Sequence, residues 1–454
     1  MRSRLRALST ALCLGALMAP PALAAESEAQ SQEERIRQLE EKVEILTEEL
    51  LRTREEIGVP EETPLESSFG LGPAASKVYG IREGLSIGGY AEAFYSDTVN
   101  DKRAGSDDSF DFVRTVLYAG YKFTDWLVFN AEFEFEHAST SSTKAGNSAG
   151  GGSTSVEFAT LDFLLRDELN LRGGLMLVPM GFLNELHEPP FFYGNVRPEV
   201  ETRIIPTTFR ENGAGVFGRI ADVLEYKLYA ITSLNGAGFG SAGLRGGRQR
   251  GNRALADDWS VVARLDYAPI PELLFGASVM VGEADQDQRL AQVSPPNPPG
   301  LKVVLPNSLL TVWEAHAQYQ RHGLHARALF SMAHVEDARR LSNALILSGD
   351  NPLGEGIARE MLGVYAELAY ELMQWLSPQT GWTVEPFFRF EWVDTQRNMP
   401  SGFAADKNKR FQVYTTGLSV KPIPNVVLKL DYRNLRAERG ALGDEINVGF
   451  GLVF

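Results

Sequence analysis

The chain has one cysteine in 454 residues, Cys13. It falls in an N-terminal stretch expected to be removed. The mature chain is therefore expected to lack disulfides, thiol catalysis, iron–sulfur clusters and cysteine-ligated zinc. No run of about 18 apolar residues occurs, and a membrane-spanning helix needs about 20. This excludes a helical membrane protein. A soluble enzyme and a transmembrane barrel, whose strands are only half apolar, both stay open. Positive charge is in deficit, with 44 Lys and Arg against 59 Asp and Glu and a net charge of −15. No polybasic surface for nucleic acid results. Catalytic signatures are missing too: there is no Gly-x-Ser-x-Gly elbow and no P-loop. His187-Glu188 lacks the second histidine that a zinc protease carries four positions on, since residue 191 is Phe. His137, His187, His316, His322, His325 and His334 show no metal-ligand spacing. The sequence predicts no catalysed reaction, no cofactor and no metal.

Residues 1–24 are expected to be a signal peptide. Arg2, Arg4 and Arg6 form a basic start, Leu8 to Ala19 an apolar centre, and Ala22-Leu23-Ala24 a small-x-small cleavage site. Residues 25–58 predict a coiled-coil helix. Ile36, Val43, Leu50 and Ile57 fall at a positions, with Leu39, Leu46 and Thr53 at d. Three heptads are marginal as an isolated helix. The stripe therefore needs a partner, either another copy or the chain's own domain. Residues 59–83 read as a Gly/Pro/Ser linker.

From residue 84 to 454 the period changes to 2. Sixteen strands are expected, starting near residues 84, 110, 125, 155, 168, 212, 224, 258, 272, 309, 323, 357, 380, 411, 426 and 443. Most are 10–13 residues long, which suits a tilted membrane-spanning strand of about 9–11 residues better than a soluble strand of about 5–6. Seven short turns alternate with eight longer polar segments. Bacterial outer-membrane barrels have this asymmetry and an even strand number. The expected fold is an all-β, sixteen-stranded antiparallel transmembrane β-barrel preceded by a short coiled-coil helix.

The strand faces point the same way. Leu127, Phe129, Ala131, Phe133 and Phe135 lie on one face of a strand, opposite Asn130, Glu132, Glu134 and Glu136. In a barrel with a wet lumen the acids face inward. In a soluble sheet they would face bulk solvent, with the aromatics in a core. By the same alternation Arg264, Arg327 and Arg389 point into a lumen. Trp259, Tyr267, Trp313, Tyr319, Trp392 and Tyr432 are candidates for interfacial aromatic girdles. Alternation breaks at Phe112-Val113, where a bulge is expected.

The longest distinctive segment is 179–211. Loops beyond about 12–15 residues are usually functional or disordered, and this one is rich in Phe, Pro and paired charges. If it folds into the lumen, Glu185, His187, Glu188, Arg197, Glu199, Glu201, Arg203 and Arg210 are candidate constriction residues, where facing charges would set the ion preference. The other reading packs the loop outside the pore or at a subunit contact. Arg245, Arg248, Arg250 and Arg253 could attract anions to a pore mouth or contact lipopolysaccharide phosphates.

The last strand, Glu445 to Phe454, alternates apolar residues from Ile446 and ends on Phe454. This resembles the C-terminal signature that the outer-membrane insertion machinery reads. The whole arrangement resembles a Gram-negative outer-membrane porin. The long loop after the fifth strand and the glycine-rich run Asn212-Gly213-Ala214-Gly215-Val216-Phe217-Gly218 are most similar to the phosphate-selective porin O and P family. The resemblance implies a homotrimer of sixteen-stranded channels, and no phosphate-binding residue is carried over from it. The expected function is passive diffusion of small hydrophilic solutes or ions through a water-filled lumen. The expected place is the outer membrane, in contact with lipid and lipopolysaccharide, with the N-terminal helix in the periplasm. The alternative is a structural tether whose coiled coil binds peptidoglycan or a periplasmic partner.

Overall fold

The structure is a computed structural model that describes residues 35–49, 52, 66–99, 108–138, 151–293, 301–351, 354–439 and 442–454. The expected signal segment lies outside the described residues. The chain divides into two units, residues 1–57 and 58–454. In the first, residues 35–49 form helix α1. Its Ile36, Leu39, Val43 and Leu46 are all exposed.

The second unit is a closed antiparallel barrel of sixteen strands. These are β1 Gly84–Val99, β2 Ser109–Thr124, β3 Leu127–Glu136, β4 Thr154–Arg166, β5 Leu169–Leu177, β6 Arg210–Ile220, β7 Leu224–Thr232, β8 Trp259–Ile270 and β9 Leu273–Glu283, continuing with β12 Leu309–Arg321, β13 Leu324–Val335, β14 Glu360–Tyr370, β15 Thr383–Asn398, β16 Arg410–Ile423, β17 Val426–Ala437 and β18 Asp444–Val453. Each strand pairs with its sequence neighbour in the barrel, and β1 closes the cylinder on β18 with Tyr90 opposite Val453. The strand count and topology are those expected from the sequence, and every start lies within three residues of its expected place. The expected bulge is present as well. Between Glu92–Arg114 and Phe94–Asp111, one residue of β1 faces the two residues Phe112 and Val113 of β2.

The loops hold structure that strand periodicity does not report. Between β9 and β12 lies a small ribbon, β10 Arg289–Ala291 with β11 Lys302–Val304. Among the described residues, the unit also holds the short α-helices α2 Pro73–Gly80, α3 Val200–Arg203, α4 Ala338–Ser348 and α5 Met373–Leu376. Helix α2 lies within the stretch read as a linker. It packs against β1, β2 and β3 through Ala74, Ala75 and Val78, so that part of the segment is a lumen element.

The two wall faces differ as the alternation requires. Phe133 and Phe135 of β3 are exposed on the outside, whereas Glu132 and Glu134 are buried inside. Leu228, Val261, Leu265, Phe275, Leu368, Leu428 and Leu430 extend the exposed apolar face round the barrel. Trp259, Tyr267, Trp313 and Tyr432 share this exposure, while Tyr319 and Trp392 are half-buried. A cylinder apolar outside and charged inside is built for lipid. An arginine at Leu265, midway along β8, is therefore expected to cost about 2–4 kcal/mol. Equilibrium unfolding of the Leu265→Arg variant in lipid vesicles measures it, and a cost near zero would contradict a lipid-facing wall.

The interior departs from a uniformly wet lumen. Inward-facing Val262, Met280, Val312, Leu329 and Met361 join Met180, Val200, Ile204, Ile205 and Phe209 from the loop after β5 in one apolar core. Leu234, Phe239, Leu244 and Leu305 from other loops, and Leu341 and Leu345 of α4, belong to the same core. The inward Met280 of β9 thus packs against protein rather than water.

Candidate functional site

The segment between β5 and β6 folds into the barrel and is tied to its wall on several sides. Gly181 starts the inward turn at φ +71°, a conformation natural to glycine, and a Cβ there would lie 2.4 Å from a Glu201 carboxylate oxygen. Glu201 accepts hydrogen bonds from the Leu183 amide at 2.7 Å and the Tyr365 hydroxyl at 2.6 Å, so it braces the loop against β14. Asn184 clamps the loop ends together, donating to Val178 O and Phe209 O, both at 2.7 Å.

Charged pairs then carry the loop round the lumen. Lys227 of β7 binds Glu185 at 2.6 Å. Arg264 of β8 donates to Gly181 O at 2.6 Å and pairs with Asp266 at 2.7 Å, and Asp266 also meets His316 at 3.1 Å. Tyr193 donates to Glu385 of β15 at 2.6 Å. Arg389, fully buried, donates to Tyr193 O at 3.1 Å and Val196 O at 3.0 Å while pairing with Glu367 and Glu391. Arg327 holds the other oxygen of Glu367 at 2.6 Å. Glu199 is gripped by Arg203 at 2.6 Å and by Arg433 of β17 at 2.7 Å, and its own amide donates to Glu391 at 2.5 Å. Asn195 and Lys429 add contacts, to Asp431 and Gly194 O respectively.

Of the residues nominated from sequence, Glu185, Glu199, Glu201, Arg203, Arg264, Arg327 and Arg389 meet in this loop-to-wall network. Their charges are matched locally, along the wall and onto the loop, so an arginine face does not stand opposite a glutamate face. Arg197 donates to Thr207 at 3.1 Å. His187 and Glu188 point to the other side. Glu188 accepts from the Ala74 and Ala75 amides at the start of α2, at 3.0 and 3.2 Å. Burial pushes its carboxyl up to about 7, against the lowering effect of those two amides. His187 sits beside Glu132 and Glu157, and burial pushes its imidazole down to about 4 although Glu157 acts in the opposite direction. Glu132 and Glu134 are covered by protein, contrary to their expected place on a wet wall, because α2 and the loop fill that quadrant. Glu136 alone of the three is half-exposed, accepting from Ser153 at 2.8 Å.

Free space is divided. Towards the short turns, a cavity of about 230 Å³ is bounded by Phe182, Phe192, His325, Arg327 and Lys421. A neighbouring one of about 390 Å³ is bounded by Glu185, Lys227, Arg264, Asp266 and Asp222, and Phe182 and Leu186 line both. Towards the long loops, a cavity of about 470 Å³ brings Arg210, Arg245, Arg248 and Arg250 together with Glu134 and Glu136. Burial and the neighbouring Arg250 and Arg245 hold the Arg248 guanidinium down, to about 9.

Sequence reasoning missed the wall partners Lys227, Asp266, Glu367, Glu391, Lys429, Asp431 and Arg433. Strand alternation places each on the inward face, but only the loop's path selects them. It also missed Glu157, because a bulge breaks the alternation there.

The fold and this interior define a sixteen-stranded transmembrane β-barrel with its own loop folded into the lumen. The chain belongs to the same family as an uncharacterized protein of Aquifex aeolicus (strain VF5). The two are 35% identical over 386 residues, which span 84% of this chain and 82% of that one. No family model matches the sequence. Among solved structures, the chain is similar to OmpF of Salmonella typhi in complex with daunomycin, with a TM-score of 0.50 and 13% identity over 82% of this chain and 98% of that one. It is also similar to the trimer form of in-vitro folded OmpT, an outer membrane protein of Vibrio cholerae. There the TM-score is 0.50 at 8% identity, over 82% of this chain and 100% of that one. At such identities the likeness is one of fold.

Proposed function

We propose that the chain is an outer-membrane porin that passes small hydrophilic solutes or ions by passive diffusion and catalyses no reaction. The observation that carries the reading is the loop of residues 178–209, held inside a closed, lipid-facing barrel by buried ion pairs, with charged cavities on either side of it. A plugged anchor would need neither those cavities nor their charged linings, and no feature of the barrel favours a tether over a channel. The trimer form of a neighbour of the same fold supports a homotrimer. So does the exposed apolar stripe of α1, which three copies could bury together. In this reading the long loops face the exterior and lipopolysaccharide, and the short turns and α1 face the periplasm. The Arg210–Arg245–Arg248–Arg250 cavity favours anions at the outer mouth, in keeping with the resemblance to phosphate-selective channels.

Single-channel recording in planar bilayers across a salt gradient tests the proposal. Stepwise insertion with three linked levels and a reversal potential of anion sign is the expected result. Silence from folded, heat-modifiable protein would overturn it.

A further inference from the structure

Where the loop meets the acidic quadrant of the wall, three metal-ligating side chains converge outside the loop-to-wall network of Arg264, Arg327, Arg389 and Arg433. Glu132 of β3, Glu157 of β4 and His187 of the loop bring one ligand atom each within 4.8 Å of one another. All three are buried, at 0%, 0% and 2% exposure. The His187 Nε2 atom is 3.4 Å from Glu132 Oε1 and 3.9 Å from Glu157 Oε2.

Several features point to a cation-binding role for these three side chains. Neither oxygen of Glu157 has a hydrogen-bond partner, nor has Glu132 Oε2. One guanidinium faces the two carboxylates: Arg210 Nη1 forms an ion pair with Glu157 Oε1 at 3.7 Å, too long for a hydrogen bond, and its Nη2 donates to Ser155. Arg114 is taken by Glu92 and Glu134. Buried carboxylates without donors are costly unless a cation or a proton shared between them compensates, and the histidine facing both oxygens favours the cation. The local backbone also aims Glu157 inward. Opposite the Glu132–Phe133 step of β3, β4 carries one extra residue, pairing Phe158 with Glu132 and Val156 with Phe133. Both Glu157 and Phe158 are buried as a result. Bulges of this kind re-aim side chains at functional sites. Finally, His187 Nδ1 lies 3.2 Å from the Asn184 carbonyl. Donation there assigns the proton to Nδ1 and leaves the Nε2 lone pair facing two carboxylates. Metal-bound histidines are oriented by this outer-shell bond.

From this geometry we infer that Glu132, Glu157 and His187 form a binding site for a divalent transition-metal ion of the zinc type. Ligand bonds of about 2.0–2.2 Å place tetrahedral ligand atoms about 3.4 Å apart, so the observed spacings need only a small closure. One imidazole and two carboxylates suit zinc better than calcium or magnesium, which take oxygen ligands. The ion would neutralise the two carboxylates and tie β3, β4 and the loop together, latching the loop to the wall just below the arginine-lined cavity.

The test uses the full-length protein in detergent, stripped with a chelator and titrated with Zn²⁺ and, separately, Co²⁺. Expected are one tightly held Zn²⁺ per barrel by elemental analysis and visible d–d bands from Co²⁺. Glu157→Gln and His187→Gln should each weaken binding on the order of tenfold or more. If Glu157→Gln does not fold, His187→Gln, on the loop, decides alone. Wild type that retains no zinc overturns the site, and so does zinc held equally well by the variants. Because binding is read without conductance, its failure is separate from failure of the channel.

Discussion

Arg389→Ala is expected to destabilise the barrel by about 3–5 kcal/mol and to raise single-channel conductance several-fold. Arg389 is one of the largest fully buried side chains, and it holds both wall and loop. Two of its bonds go to the loop carbonyls of Tyr193 and Val196, and two to Glu367 and Glu391. Removing it releases the loop's middle and leaves Glu391 with the Glu199 amide and the more distant Arg433 charge. In the proposed channel, a loop freed there swings from the wall and widens the passage. Lysine should not rescue, because an ammonium cannot reproduce the planar fork that reaches all four acceptors. The double variant Arg389→Ala/Glu391→Gln should recover part of the stability, since it removes an uncompensated carboxylate, yet keep the raised conductance. Equilibrium unfolding and bilayer recording on the same preparations separate the two effects. Unchanged conductance in a folded single variant would mean that the loop does not depend on this anchor.

The wall was legible in the sequence because lipid enforces it. Every outward position between the girdles must be apolar, so alternation such as Leu127–Phe135 against Asn130–Glu136 survives whatever fills the lumen. Strand starts at Gly84, Leu224, Leu309 and Val426 coincide with the expected ones. The largest offsets, at Glu360 and Thr383, have local causes. Ile357 and Ala358 are apolar because they enter the interior core before β14 begins. Helix α5 lengthens the turn before β15.

The lumen was less legible, because packing there obeys no period. Helix α4 hides in a segment that reads as polar loop, betrayed by the apolar Ala338, Leu341, Ala344 and Leu345 of its inner face. Helix α2 looks like linker from its Gly and Pro content, although Pro73 at its first turn is a helix-start signal. The composition of the long loop sets it apart, but its partners on β7, β14, β15 and β17 are distant in sequence. His187 offered no metal spacing along the chain, since its partners Glu132 and Glu157 come from two wall strands and one of them stands on a bulge.

Reversing the charge of the loop-side cavity is expected to change ion preference more than any substitution in the deeper network. Arg245, Arg248 and Arg250 lie on the connection between β7 and β8, and Arg210 stands at the head of β6. Arg248 is held by backbone carbonyls, of Arg245 at 3.0 Å and of Thr208 at 3.2 Å, with a further bond to Thr207 O. Among the described residues no carboxylate forms an ion pair with it, and its arginine neighbours crowd it. In the deeper network, by contrast, each arginine has an acidic partner, so its field is cancelled close by. In the loop-side cavity four arginines outnumber Glu134 and Glu136, so net positive charge sits there, where low-dielectric walls focus it and raise local anion concentration on the order of tenfold or more. Arg245→Glu/Arg250→Glu should abolish that enrichment and move the reversal potential to the cation side. Both residues are on a loop, so the barrel should remain heat-modifiable and its single-channel conductance in high salt should stay near wild type. The shift should shrink as ionic strength rises, because the Debye length falls from about 10 Å at 0.1 M to about 3 Å at 1 M. A reversal potential that ignores the double substitution at low salt would place the selectivity elsewhere, on the acids Glu134 and Glu136 that share the cavity.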